Sequence, residues 1–402
     1  MKVLIADWDS YGDENMEVLM KRLGYELRKS PYVEKMPKEV TDKQLADFAQ
    51  ALDGFGPDYV FSYNYFPPIS NICQEKHVPY ISWVYDSPYL NTYSYTAIND
   101  VNRIFVFDYG VVQKFEAGGI PTVHYMPLGI DEKRYERQCG LPGNPPAPAR
   151  IRTDKGSVSF QADIAFVGSL YSEPRHRLYD KFQTVSPFAK GYLDAVIEAQ
   201  KHVYGENFLE QMITPEIEAE MQKAYPCDPD ALTVMTPAQI YSQYVLSRQV
   251  TAVERREILT LIGQRFQGYA NRLYTIDPEV RISGVRNMGP VEYYNEMPAV
   301  FYSSRINLNI TLRSILTGIP LRALDIMGSN GFLLTNYQAE FGEYFTPGED
   351  FDFYQDYEDL MGKIEYYLTH EKERKEIMEN GCRKVRSEHT LEKRLKDMES
   401  WL

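Results

Sequence analysis

An α/β protein of two Rossmann-like domains facing across a cleft, with a helical insertion in the second, is predicted by three observations. Short apolar runs alternate with amphipathic stretches through the first third of the chain. A proline-rich break follows at 140–148, and the alternation restarts at Asp163. Helical stretches between strand signals imply βαβ units and mostly parallel sheets. At 402 residues the chain also exceeds what one core of about 250–300 residues can hold.

The elements justify this in order. Val3-Leu-Ile-Ala6 is a continuous apolar run, as expected of a strand buried on both faces. Met16, Leu19, Met20 and Leu23 recur at helical spacing, and Leu45, Phe48, Ala49 and Leu52 repeat the pattern. Further strands are predicted at Tyr59–Tyr63, Tyr80–Tyr85, Ile104–Phe107 and Thr122–Met126. Residues 135–160 read as the interdomain connection, because Gly140-Leu-Pro-Gly-Asn-Pro-Pro-Ala-Pro148 supports neither helix nor central strand. Asp163-Ile-Ala-Phe-Val167 and the turn at Gly168-Ser169 open the second sheet. From 176 to 275 the chain reads as mainly helical, a block that packs on the sheet, shapes a substrate site or forms a homodimer. Strands resume near Val280–Ser283, Ile306–Ile310 and Gly331–Thr335. Asp356 is the expected cap of a helix carrying Leu360, Met361, Ile364, Tyr367 and Leu368, and a last helix runs to Trp401. The expected domains are 1–150, then 151–385 with its insertion at about 176–275, then a C-terminal helix at 386–402 returning to the first domain.

Composition narrows the function. A hydrophobic share of 44% against 25% charged residues fits a folded protein rather than a disordered one. The net charge of −14 argues against nucleic acid as a partner, since such binders carry a basic stripe. No apolar run approaches the roughly 18 residues of a membrane span, and the first strand breaks at Asp7 and Asp9 without a signal-peptide cleavage site. A cytoplasmic location is therefore expected. Cys73, Cys139, Cys227 and Cys382 lie far apart, which speaks against a zinc or disulfide framework. No metal site is expected either. The histidines lack ligand spacing, and Asp7-Trp-Asp9 follows the first strand, where it shapes a loop.

In doubly wound sheets ligands bind at the carboxyl ends of the strands. Here those ends are polar: Asp7 to Gly12, Asn64 to Pro68, Asp86-Ser-Pro88 and Asp108-Tyr-Gly110. Two facing sheets make a cleft with a ligand on each side, which suits a transferase, an epimerase or a two-lobed binding protein. Asp9, Ser10, Tyr11 and Gly12 form the first strand-end loop on the acceptor side. Asp86 and Asp9 are the candidates for a catalytic base, although Asp86 equally suits a turn cap. In the second domain Thr317, Gly318 and Ile319 form a turn before Pro320, which suits the first position of a helix. The free amides there would hold an anion, with Arg322 as a phosphate fork. Asp325 falls on the same face and would accept from a ribose diol. A solvated Arg–Asp pair explains the same spacing.

One resemblance extends this. Gly289-Pro-Val-Glu-Tyr-Tyr294, Ile306-Asn-Leu-Asn-Ile310, Gly318 to Asp325 and Gly331 to Asn336 resemble the C-terminal domain of the CgeB-like family. The similarity continues through Tyr366-Tyr-Leu368, Glu373-Arg374, Asn380-Gly381, His389-Thr390 and Arg394. It covers about 280–400 well, and Phe166 to Ser169, Arg175, Arg177, Trp83 to Pro88 and Tyr125 to Asp131 more loosely. That family, named for a spore maturation protein, stands among the group 1 glycosyltransferases. The resemblance implies a GT-B fold and metal-independent sugar transfer from a nucleoside-diphosphate sugar, UDP-linked by family habit. The acceptor would be a hydroxyl on a glycan, protein or small molecule, and no further cofactor is implied. Donor contacts would come from Gly168, Ser169, Arg175, Arg177, Asn309, Thr317, Gly318, Ile319, Arg322, Asp325, Asn336 and Glu340. In related retaining enzymes two acidic residues eight apart frame the donor. Asp325 stands where the second would be, and Thr317 occupies the place of the first. That departure keeps two alternatives open: a nucleotide-sugar epimerase, or a non-catalytic spore or surface protein that binds sugar nucleotides.

Overall fold

The computed structural model describes residues 1–31, 41–153, 156–227 and 234–402. The chain forms two compact units. Unit 1 comprises Met1–Asp131 and Leu391–Leu402 with a short segment ending at Met235, and unit 2 comprises Glu132–Asp228 and Thr236–Thr390.

Unit 1 is built on six parallel strands: β1 (Lys2–Asp7), β2 (Glu26–Pro31), β3 (Tyr59–Tyr63), β4 (Tyr80–Val84), β5 (Asn102–Val106) and β6 (Val123–Tyr125). Their order is β2-β1-β3-β4-β5-β6. β3 and β4 are buried along their whole length, which is why they read as unbroken apolar runs. β2 was not foreseen, because Glu26-Leu-Arg-Lys-Ser-Pro31 has no apolar run. It lies at the sheet edge, where charged side chains discourage further pairing. The helix Asp42–Phe55 starts in a capping box from Thr41 and Gln44 and stops at Gly56, whose φ of 57° favours glycine. The helix Leu391–Glu399 belongs to this unit. Its Leu391 N–H donates to Ile130 O, and Glu399 accepts from the hydroxyls of Tyr25 at 2.9 Å and Tyr59 at 2.6 Å.

Unit 2 opens with the helix Glu132–Cys139, and the proline-rich stretch follows inside the unit. An antiparallel hairpin pairs β7 (Arg150–Thr153) with β8 (Gly156–Ser159). The main sheet is parallel, in the order β11-β10-β9-β12-β13-β14. Its strands are β9 (Ala162–Val167), β10 (Asn271–Tyr274), β11 (Arg286–Asn287), β12 (Ser304–Asn309), β13 (Leu333–Asn336) and β14 (Asp352–Tyr354). The strand expected at Val280–Ser283 is absent. That stretch is a loop that packs Val280 on the core, and the strand lies earlier, at β10, inside the stretch read as helical. Asn271-Arg-Leu-Tyr274 sets two polar residues before two apolar ones and is too short to register as a strand.

The insertion is helical from Leu178 to Arg265 within the described residues, and 228–233 lie outside them. Pro187–Lys201, Pro215–Ala224 and Pro237–Ile240 each begin with proline, capped by Ser186, Thr214 and Thr236. The last continues through a π-helical turn, Tyr241–Leu246, into the helix Ser247–Arg265. The block has its own core, with Phe182, Leu193, Met221, Tyr241 and Val250 fully or almost fully buried. Farther on, Asp356 caps Tyr357–Thr369, accepting from Asp359 N–H at 2.8 Å. Among the described residues no helix is long and apolar enough to cross a membrane.

Candidate functional site

At the carboxyl end of β9 the chain turns through Gly168 and Ser169 to Tyr171, which adopts φ 55°. Ser169 Oγ accepts from Tyr171 N–H at 2.8 Å and donates to Glu173 at 3.2 Å, so the turn is fixed from within. Two guanidinium groups from the helix Ser247–Arg265 lie over the Tyr171 ring, Arg255 at 5.2 Å and Arg248 at 5.5 Å. The His176 ring meets its edge at 5.6 Å. Arg255 spends its donors on carbonyls, Ser169 O at 2.7 Å and Ile310 O at 3.1 Å. Arg248 Nε and His176 Nδ1 are buried without a hydrogen-bond partner. Burial holds the His176 imidazole below its ordinary range, and Arg248 and Arg175 press the same way against Glu173. Cations that meet carbonyls and aromatic rings in place of carboxylates leave a local positive field in a chain of charge −14. Such a field suits an anion.

Sequence reasoning missed Arg248 and His176. The available signal was the spacing of Arg248 and Arg255, two helical turns apart on one face. Arg175 is exposed beside the turn, while Arg177 is exposed and paired with Asp180 at 3.6 Å.

The next strand ends are tied together. Asn309 Nδ2 donates to Thr311 Oγ1 at 3.0 Å and Thr335 Oγ1 at 2.9 Å, and Thr311 N–H donates to Asn336 Oδ1 at 2.8 Å. Beside them is a recess of about 260 Å³, open solvent included, bounded by Gly205, Asn207, Arg313, Leu316, Asn336 and Gln338. Arg313 forms a buried pair with Glu254, at 3.0 and 2.9 Å, with the Tyr204 ring 4.0 Å from the guanidinium. Across the following loop Thr317 Oγ1 donates to Glu340 Oε1 at 2.7 Å.

The segment 317–325 departs from expectation. Pro320 is the cap residue, with extended ψ of 148°, and the helix begins at Leu321. Gly318, Ile319 and Pro320 are buried, while Thr317 before them and Leu321 and Arg322 in the first turn keep an exposed side. Arg322 does not reach the β9 turn: it donates to Met297 Sδ and lies over the Phe301 ring at 5.8 Å. Asp325 is 1% exposed and accepts from the hydroxyls of Tyr135 at 2.7 Å and Tyr293 at 3.3 Å. Burial raises its carboxyl above the usual range, with Arg322 the first opposing influence. Both hydroxyls meet the same oxygen, Oδ1.

In unit 1 the ends of β1, β3 and β4 are linked. Trp8 Nε1 donates to Tyr63 O at 2.7 Å and its ring stacks on Tyr85 at 6.2 Å. Asn64, at φ 59°, donates to Asp86 Oδ2 at 2.8 Å. Asp86 keeps an exposed side, yet crowding by the protein raises its carboxyl while Asn64 opposes this. Asp9 is exposed at φ 63°, Tyr11 is exposed, and Ser10 is buried with its N–H on Asp13 Oδ2 at 3.0 Å. Gly12 leads into the helix Asp13–Arg22, and a Cβ there would lie 2.5 Å from the Tyr63 ring.

Asp13 is the feature sequence reasoning passed over here. Burial, with Asp7 nearby, raises its carboxyl to about 7, although the Ser10 hydrogen bonds oppose the shift. A carboxyl raised in the folded state stabilises fully below its unfolded value near 3.8, and that contribution is lost as pH climbs through about 7. Wild type should therefore lose on the order of 2–4 kcal/mol relative to Asp13→Asn between pH 4 and pH 8, read from urea midpoints. Parallel pH profiles for the two proteins would refute the buried neutral acid.

Residues 248–400 match the family model described as glycosyl transferase-like. No curated protein matches the chain in sequence. A glycosyltransferase from Rickettsia africae is similar in structure, with TM-score 0.51 and 10% identity over 100% of this chain and 97% of that one. At that identity the likeness shows the fold, two parallel α/β units in one chain, as read from the sequence. Sucrose-phosphate synthase from Thermosynechococcus elongatus aligns with TM-score 0.49 and 11% identity, over 100% of this chain and 98% of that one. Anabaena HepE in complex with UDP and glucose aligns with TM-score 0.48 and 11% identity, over 100% of both chains.

Proposed function

We propose that this protein transfers a sugar from a nucleoside-diphosphate sugar to a hydroxyl acceptor, in the manner of the CgeB-like glycosyltransferases. The observation that carries the reading is the turn after β9, where the guanidinium groups of Arg248 and Arg255 lie over Tyr171 and Arg175 stands near His176, with Glu173 held by Ser169. The match to the glycosyl transferase-like family model over residues 248–400 supports sugar transfer. In the reaction the acceptor oxygen bonds to the anomeric carbon, and the bond from that carbon to the diphosphate breaks. The electron pair and its charge pass to the diphosphate. Guanidinium groups fixed on Tyr171 stabilise that charge without reorganising. The acceptor belongs to unit 1, where Asp86, oriented by Asn64, takes the hydroxyl proton if the transfer inverts configuration. UDP is the nucleotide the family resemblance implies.

Thermal shift with UDP, GDP and dTDP tests the donor assignment. UDP at about 100 times its dissociation constant should stabilise the protein by roughly 2.7 kcal/mol. If none of the three nucleotides moves the melting temperature, the donor reading falls. The covering of Asp325 by two tyrosines favours one second reading, a sugar-nucleotide binder without turnover. UDP binding with no UDP release across donors and acceptors would select it.

A further inference from the structure

Resting on the sugar-transfer reading, we propose that the acceptor is a neutral carbohydrate whose ring lies on Trp8 in unit 1. Trp8 follows β1 and links three neighbouring strand ends. Its indole N–H donates to Tyr63 O, at the end of β3, at 2.7 Å. Its ring stacks on Tyr85, after β4, with centroids 6.2 Å apart and planes 15° from parallel, and it meets Phe66 edgewise at 6.0 Å. Parallel sheets take their ligands at these carboxyl ends. Although held on three sides, Trp8 is only half-buried.

Indole has one polar group, a donor, and here that donor is spent. The exposed part of the ring is therefore apolar, and because it is already fixed, little freedom is lost when a ligand covers it. The residues that flank the stacked rings in the chain are acidic. Asp9 and Asp86 are both exposed, Asp9 on backbone at φ 63° and Asp86 with Oδ2 on Asn64 at 2.8 Å. Lys29 is committed to Asp7 at 2.8 Å and Glu17 at 3.2 Å, and among the described residues neither Asp9 nor Asp86 pairs with a cation. A pyranose answers both demands. A face of its ring is C–H and packs on indole, while its rim of hydroxyls donates to carboxylates. An acceptor carrying phosphate or carboxylate would meet like charge. A peptide brings a single hydroxyl to a rim that can receive several.

The test is a saturation-transfer NMR titration, with UDP present, of wild type, Trp8→Ala and Trp8→Tyr. The probes are the methyl glycosides of glucose, galactose, mannose and N-acetylglucosamine, their 6-phosphates, and a serine-containing peptide. At least one neutral glycoside should bind wild type with the strongest transfer on one ring face, and its 6-phosphate should bind roughly 10-fold more weakly or worse. Trp8→Ala should lose roughly 10-fold in that affinity and Trp8→Tyr should recover part of it, both with UDP affinity unchanged. A glycoside held equally well by Trp8→Ala, tighter binding of a 6-phosphate or of the peptide, or no binding by any probe overturns this inference, while UDP binding leaves the donor reading standing. Wild type that fails to bind UDP overturns the donor reading, and with it the role of the Trp8-bound sugar as acceptor. Melting curves show whether each variant folds, and Trp8→Tyr, which keeps an aromatic face, carries the test if Trp8→Ala does not.

Discussion

Replacing Arg248 with alanine is expected to weaken UDP binding by roughly 10–100-fold, the loss that follows removal of a charge-assisted contact. Arg248 is held over the rings of Tyr171 and Tyr244, at 5.5 and 5.7 Å, and its Nε has no hydrogen-bond partner of its own. Arg248 is half-buried, so its cation–π contacts contribute about 1–2 kcal/mol to folding, offset in part by the unpartnered Nε. The melting temperature without nucleotide should fall by only a few degrees. Arg248→Lys should recover part of the affinity, because it restores charge and not the planar fork. The wild-type affinity should also weaken with salt, as an ionic contact does. Isothermal calorimetry at two ionic strengths checks both. An Arg248→Ala protein that binds UDP as tightly as wild type would remove the β9 turn from the donor site.

The largest loss of stability is expected from Arg313→Met. The Arg313 and Glu254 side chains are only 7% and 1% exposed, and Arg313 also donates to Val203 O at 3.1 Å and Lys201 O at 3.0 Å. Methionine would leave Glu254 as a buried charge with Tyr204 as its remaining hydrogen-bond donor, at 2.6 Å. Breaking one side of such a pair costs about 3–5 kcal/mol. In a unit of this size that lowers the melting temperature by about 6–20 °C. Replacing both partners with apolar residues removes the stranded charge, so Arg313→Met/Glu254→Leu should regain most of the loss. A single variant as stable as wild type would show that water reaches the pair.

The sequence made the parallel strands legible where burial on both faces forced continuous apolar runs, as in β1, β3, β4 and β9. It hid β2, β10 and β14, whose polar residues are set by edge position or shortness. Ser or Thr before Pro coincides with helix starts at 186, 214 and 236, yet the same pairs at Ser87-Pro88 and Thr346-Pro347 open no helix, so the local signal needs its surroundings. Pro320 misled by one position, since its fixed φ also fits a cap with extended ψ. The site was less legible. The turn Gly168-Ser169 follows directly from a buried strand, but Arg248 meets it from the far end of an insertion. Glu340 was visible as a strand-end residue, whereas its partnership with Thr317 depends on how two loops fold together.

The final helix makes unit 1 depend on both ends of the chain. Glu399 receives the Tyr25 and Tyr59 hydroxyls, and Met398 and Leu395 are sealed from water beside the first sheet. Unit 1 is thus discontinuous in sequence, its strands preceding the whole of unit 2 and the helix that covers their flank following it, so a fragment cut at Asp131 would lay that flank bare.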